Sequence, residues 1–110
     1  MPKNHQVIAE FSIIPIGQEG SSLSAYVAAA VNALKKVKDL DFEVTPMGTI
    51  LAAEDLDTIL EAVRQTHRAI RAMGIKRVSS TLRIDERTDK PRSMNDKVTA
   101  VKEYMKKTVI

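Results

Sequence analysis

The chain has 110 residues, enough for one hydrophobic core and not for two, and 44% of them are hydrophobic against 28% charged, a globular rather than disordered balance. It contains no cysteine, which excludes a disulfide framework, a thiolate zinc site and a cysteine nucleophile together, and suits a reducing cytoplasm. The net charge of +3 raises nucleic acid as a partner, yet aromatics are only 4% of the chain and no predicted strand carries two of them. Sheets that bind RNA stack bases on such strand aromatics, so nucleic acid is not expected.

The polar start Met1–Gln6 has no apolar signal core behind it, and His5 is expected in a loose terminus. The longest apolar runs, such as Val27 to Val31, are far too short to span a bilayer, so the expected setting is cytoplasmic, without a membrane.

Val7 to Pro15 is β-branched and apolar, stops at Pro15 and Gly17, and is expected as the first strand. A Gly/Ser loop follows, and Ser22 or Ser24 can cap a helix running to about Val37 with Leu23, Val27, Ala30, Val31 and Leu34 as its buried stripe. Lys38 to Asp41 reads as a turn. Phe42–Met47 and Gly48–Ala53 read as two strands, with Pro46 at an edge or bulge because it has no N–H for a ladder. Asp55 is the expected cap of a second helix, whose core face is Leu56, Ile59, Leu60, Val63, Ile70 and Met73, with Gly74 at its end. Arg77 to Asp85 is the fourth strand. Pro91 and Ser93 precede a last helix with Met94, Val98, Val101 and Met105 on one stripe.

The order is β-α-β, β-α-β and one more helix. It predicts an α+β, ferredoxin-like βαββαβ sandwich over residues 1–110, with an additional C-terminal helix and one open sheet face.

Alternation assigns that face. Ala9, Phe11 and Ile13 of the first strand, and Val78, Ser80, Leu82 and Ile84 of the fourth, suit the helices. Glu10, Ser12, Thr81, Arg83 and Asp85 are left together on the other side, with Ile8 and Ile14 among them. Such a mixture suits a subunit interface around a polar pocket; the plainer alternative is a cross-strand Glu10–Arg83 ion pair of little energetic weight.

Little in the chain suggests catalysis. Neither His5 nor His67 has a metal-like spacing to a second histidine or carboxylate, and His67 reads as a packed or helix-edge residue. Ile84 to Lys90 is rich in charge, and its alternating signs describe a strand end held by neighbouring ion pairs. No phosphate loop, dinucleotide fingerprint or nucleophile elbow occurs. The loop after the first strand has no arginine, which removes acylphosphatase chemistry on the same topology.

Several segments in order carry a family likeness: Ala9 to Gly17, Ser22-x-Ser24-x-Tyr26-Val27-Ala28, Pro46-Met47-Gly48-Thr49, Arg77-Val78, and Asp85-x-Arg87-Thr88-Asp89-Lys90. Together they resemble the small thiamine-binding protein family, which is related to the YkoF-type thiamine- and hydroxymethylpyrimidine-binding proteins. The resemblance implies a ferredoxin-like subunit, a homotetramer built as a dimer of dimers through sheet edges, and thiamine or hydroxymethylpyrimidine as bound ligand with no cofactor or catalysis. By the same likeness Glu10, Ser12, Thr49 and the Arg83/Asp85 region are the positions expected near the ligand. One departure stands out. Where the family often has Gly-Thr-x-x-Glu-Gly, this chain reads Gly48-Thr49-Ile50-Leu51-Ala52-Ala53, with Glu54 the nearest acid. The competing reading is a structural or regulatory homo-oligomeric domain without a thiamine ligand.

Overall fold

A computed structural model describes residues 5–17, 23–89 and 94–107. Seven elements follow one another: β1 (Val7–Ile16), α1 (Ser24–Lys35), β2 (Asp41–Thr45), β3 (Gly48–Ala53), α2 (Leu56–Arg71), β4 (Arg77–Glu86) and α3 (Met94–Lys107). The strands form one antiparallel sheet in the order β2-β3-β1-β4. This small α+β fold, with four antiparallel strands and three helices, is consistent with the ferredoxin-like class expected from the sequence.

The core lies between one face of the sheet and the helices. Val7, Ala9 and Phe11 of β1 and Leu51 and Ala53 of β3 meet Leu34 of α1 and Ile59 and Ala62 of α2, with Leu82 of β4 packed at the margin. Each fully buried Leu or Ile contributes on the order of 2 kcal/mol of apolar burial. Thr66 is buried on the same layer, and its hydroxyl donates within the helix to the carbonyls of Ala62 and Val63.

Helix α2 begins as its sequence requires. Asp55 is the cap, and its carboxylate accepts from the Thr58 N–H at 2.8 Å. Pro46 falls with Met47 in the turn of the β2–β3 hairpin, where no ladder N–H is needed. Across that hairpin the strands meet at Thr45 and Gly48. A side chain at Gly48 would place its Cβ 2.9 Å from the Phe11 carbonyl oxygen, so the close approach of β3 to β1 requires glycine there.

Several expectations need correction. Ser24 is the first residue of α1, and Leu23 holds the cap position without a side-chain bond; Ser22 lies outside the described residues, as do Pro91 and Ser93. Helix α1 ends at Lys35, and α2 ends at Arg71 with Ala72 as its C-cap, so Gly74, at φ +91°, belongs to the connection beyond. Leu23, Val27, Leu60 and Met73 are exposed rather than core. The helix-facing side of a four-stranded sheet is filled by two helices, and apolar positions at the rims of their stripes stay outside. For the same reason α3 does not bury its stripe in this chain: Val98, Val101 and Met105 are each more than half exposed, at 53%, 57% and 62%.

His5 is also not loose. It is 7% exposed, and its Nε2 lies 2.5 Å from the Asp41 carboxylate at the start of β2. The next residue, Gln6, accepts the Arg87 N–H at 2.7 Å. The segment before β1 is thus tied to β2 on one side and to the end of β4 on the other.

Candidate functional site

Registration of the four strands turns the open face into cross-strand rows, because directly opposed residues of an antiparallel pair point to the same side. One row runs Asp41–Ala52–Ile8–Asp85 across β2, β3, β1 and β4. The next runs Glu43–Ile50–Glu10–Arg83, and in a third Thr45 opposes Gly48 while Ser12 opposes Thr81. Successive rows are about 7 Å apart, two residues along a strand.

The first two rows line a groove of about 790 Å³, within the range of small-molecule sites. Ile8 and Ile50 form its apolar floor, and Val98 of α3 reaches its wall. Around the floor stand Glu10, Glu43 and Asp85, with the guanidinium of Arg83 among them; Glu86, also in the lining, opposes the core residue Val7 and so belongs to the other face of the sheet. Three carboxylates against one cation give the open face of the groove a formal charge of −2 on a chain whose overall charge is +3. A ring lying on the isoleucines would therefore be ringed by acceptors.

The expected site residues divide three ways. Glu10, Arg83 and Asp85 meet in this groove. Ser12 and Thr81 face each other across β1 and β4 in the third row, on the same face but outside the groove lining. Thr49 is not brought to the groove. It opposes Phe11, a core residue, and so sits on the helix side of the sheet. It lines a smaller cavity of about 200 Å³ with Phe11, Tyr26 and Met47, whose lining also includes Ser12.

Glu43, Ile50 and Glu86 were not singled out from the sequence. The alternation Asp41, Glu43, Thr45 against Phe42 and Val44 was readable, but placing Glu43 beside Glu10 needs the register of both β2–β3 and β3–β1. Ala52 stands in the first row between Asp41 and Ile8, fully buried, where the family often carries glutamate. Glu54 follows the end of β3, is exposed, and does not line the groove, so it does not take that place.

At the rim, Arg87 donates from Nε and Nη2 to the two oxygens of Asp89 at 2.6 and 3.1 Å. That hydrogen-bonded pair, with the added charges of Asp89 and Asp85, holds the guanidinium above its usual pKa. The ion pairing expected for this strand end is therefore present. His67 on α2 lies on the opposite side of the sheet, with Nε2 2.7 Å from the Ser80 hydroxyl. Burial first, then the charge of Arg71, lowers its pKa. It is a helix-to-strand contact, remote from the groove. Among the described residues no group of three or more His, Cys, Asp or Glu side chains could hold a metal ion. None of their helices is long and apolar enough to cross a membrane.

Comparison with known proteins agrees with the likeness seen in the sequence. A profile of the thiamine-binding protein family matches residues 9–102. The chain belongs to this family. A UPF0045 protein of Methanothermobacter thermautotrophicus is 50% identical over 97 residues, covering 88% of this chain and 97% of that one. The solved structure of protein MJ1052 from Methanocaldococcus jannaschii, 44% identical, superposes with a TM-score of 0.77 over 88% of this chain and 96% of its own. A Thermotoga maritima structure whose name suggests thiamine biosynthesis or salvage has a TM-score of 0.69 over 86% of this chain and 97% of its own; at 20% identity it speaks to the fold alone. These are the names of a binding family and of proteins of unassigned function, not of a known enzyme family.

Proposed function

We propose that this protein binds thiamine, or a related pyrimidine precursor such as hydroxymethylpyrimidine, without transforming it, in the groove on the open face of a ferredoxin-like βαββαβ sheet. The observation that carries this reading is the meeting of Glu10, Glu43 and Asp85 around an Ile8–Ile50 floor in a chain of the thiamine-binding family. An aminopyrimidine donates from its exocyclic amine, and carboxylates are acceptors for it. The thiazolium carries a permanent positive charge, which a carboxylate-rich groove favours. The isoleucine floor offers the apolar burial a flat ring needs. The role is that of a carrier, buffer or sensor in the cytoplasm, with no metal or cofactor.

A groove open on one side encloses a small ligand poorly. The same reading therefore includes a second copy of the chain closing the groove, in a homotetramer built as a dimer of dimers. Its support is the apolar stripe of α3, with Val98 on the groove wall and Val101 and Met105 exposed beyond it. That stripe also favours the second reading, a structural or regulatory oligomer without ligand.

A thermal-shift series with thiamine, its phosphates and hydroxymethylpyrimidine separates the two. A compound that binds only the folded state raises stability by about 2.7 kcal/mol at a hundredfold excess over its dissociation constant. A concentration-dependent rise supports binding; a flat response from folded, oligomeric protein supports the structural reading.

A further inference from the structure

We infer that one copy of the chain holds only part of the groove, and that a second copy, paired antiparallel along β4 with Thr81 on the twofold axis, completes it by setting its own Arg77 opposite Asp85. The inference does not depend on which ligand the groove takes.

The sheet order leaves β2 and β4 as edges. Strand β2 is five residues long and runs into the Pro46–Met47 turn, both devices that keep an edge from pairing. Strand β4 has ten residues, neither proline nor glycine, and an unbroken register with β1 from Glu86 to Arg77. The Arg87 N–H donates to the Gln6 carbonyl, so in this ladder the odd-numbered residues of β4 turn their backbone groups to β1. Pro15 agrees: it opposes Val78, where the ladder needs no N–H. Val78, Ser80, Leu82, Ile84 and Glu86 therefore aim their backbone groups at the open edge, a template for another strand.

One register of β4 against itself is complementary. With Thr81 on the axis, Arg77 faces the partner's Asp85 and Lys76, just before the strand, faces the partner's Glu86. On the helix side Val78 meets the partner's Ile84, which is 39% exposed in the single chain. Moving the axis to Ser80 sets Arg77 against the partner's Arg83. Moving it to Leu82 sets Arg77 against the partner's Arg87 and Val78 against the partner's Glu86. Like charges directly opposed disfavour both. In the complementary register the row Asp41–Ala52–Ile8–Asp85 continues into the partner's Arg77, and the row that ends at Arg83 continues into the partner's Ser79. Each groove gains a cation and a hydroxyl on its β4 side, and the symmetry of the pairing gives the same to both copies.

The chain has no cysteine, so an introduced thiol reports its own neighbour. Residues opposed outside the hydrogen-bonded pairs have Cα atoms about 4.5 Å apart, within disulfide reach. In the full-length protein under mild oxidation by oxidised glutathione, Thr81→Cys should give a disulfide-linked dimer as the main band on a non-reducing gel. Ser79→Cys and Arg83→Cys should each stay unlinked alone, while the double variant links, because those positions face each other across the axis. By sedimentation velocity the wild-type chain should be a dimer or an even multiple of one. Arg77→Glu, shown by its melting curve to be folded, should raise the dissociation constant of the pair at least about tenfold, and Asp85→Arg added to it should restore pairing.

A wild-type chain that is monomeric at every concentration tested would overturn the inference. So would Thr81→Cys linking no more than Ser79→Cys or Arg83→Cys, or a folded charge swap that pairs as weakly as Arg77→Glu alone. None of these results bears on the thiamine reading, which the thermal-shift series tests separately.

Discussion

Glu10 and Arg83 lie directly opposite each other across the β1–β4 ladder, yet among the described residues no ion pair joins them. Both are exposed, on the face that carries the groove. The Glu10 carboxylate is thus placed to accept from a ligand rather than being committed to its neighbour. Glu10→Gln keeps the shape and removes the charge. It should weaken thiamine binding about tenfold and change folding stability by less than about 0.5 kcal/mol, as exposed substitutions usually do. Titration calorimetry and urea unfolding of the same variant measure the two quantities.

His5 makes the opposite kind of prediction, a structural one. Its Nε2 is held 2.5 Å from Asp41, its ring is almost fully buried, and its Nδ1 has no partner among the described residues. Replacing it with alanine leaves the Asp41 carboxylate without that bond and opens space at the β1–β2 end of the sheet. His5→Ala should cost about 1–3 kcal/mol in urea unfolding. A cost within a few tenths would mean that the segment before β1 contributes nothing to the fold.

Gly48 tests the β1–β3 contact. An added Cβ would meet the Phe11 carbonyl at 2.9 Å, a backbone atom that cannot rotate away. Gly48→Ala should destabilise by about 1–3 kcal/mol, the usual cost of forcing strands apart in a packed structure. Gly74→Ala is the comparison: a Cβ there meets nothing within 4 Å, so its cost comes only from the left-handed backbone at φ +91°. Thermal unfolding of the pair should rank Gly48→Ala as the more damaging.

His67 predicts a pH dependence. Its pKa in the folded chain is lowered, chiefly by burial and then by Arg71, below the ordinary value of 6.5. The unfolded chain therefore binds more protons between the lowered value and 6.5, and stability contributed at this site falls as the pH drops through that window. Above 6.5 both states are neutral there and the effect vanishes. The difference in melting temperature between wild type and His67→Gln should accordingly change between pH 7.5 and the acid side of 6.5, in the direction of a relative loss for wild type. A constant difference across that range would contradict the assignment.

How much of this was legible in the sequence follows from which rules are local. A period of two assigned the faces of β1 and β4 correctly, because each strand has one side on the core: Glu10, Arg83 and Asp85 emerged as neighbours without any pairing information. The cap at Asp55 is equally local and came through intact, whereas Pro46 and Met47, read as the end of a strand, form the turn that joins β2 to β3. Register is not local. Thr49 was grouped with Glu10 on family likeness, whereas its pairing with Phe11 turns it to the helices, and Glu43 was missed because it is two strands away from Glu10. Burial at the rims is not local either. Val27, Leu60 and Val101 continue good apolar stripes, but the sheet face they would need is already occupied. His5 was read as loose because terminal position was the only signal; what orders it is Asp41, 36 residues on.

The central claim, that thiamine lies on the open face, is tested most directly by following backbone amide signals in a proton–nitrogen NMR titration with thiamine. The account predicts saturable shifts concentrated at Glu10, Glu43, Ile50 and Arg83, the second cross-strand row. Shifts confined instead to Tyr26, Met47 and Thr49 around the smaller cavity, or none at a large excess of thiamine, would contradict it.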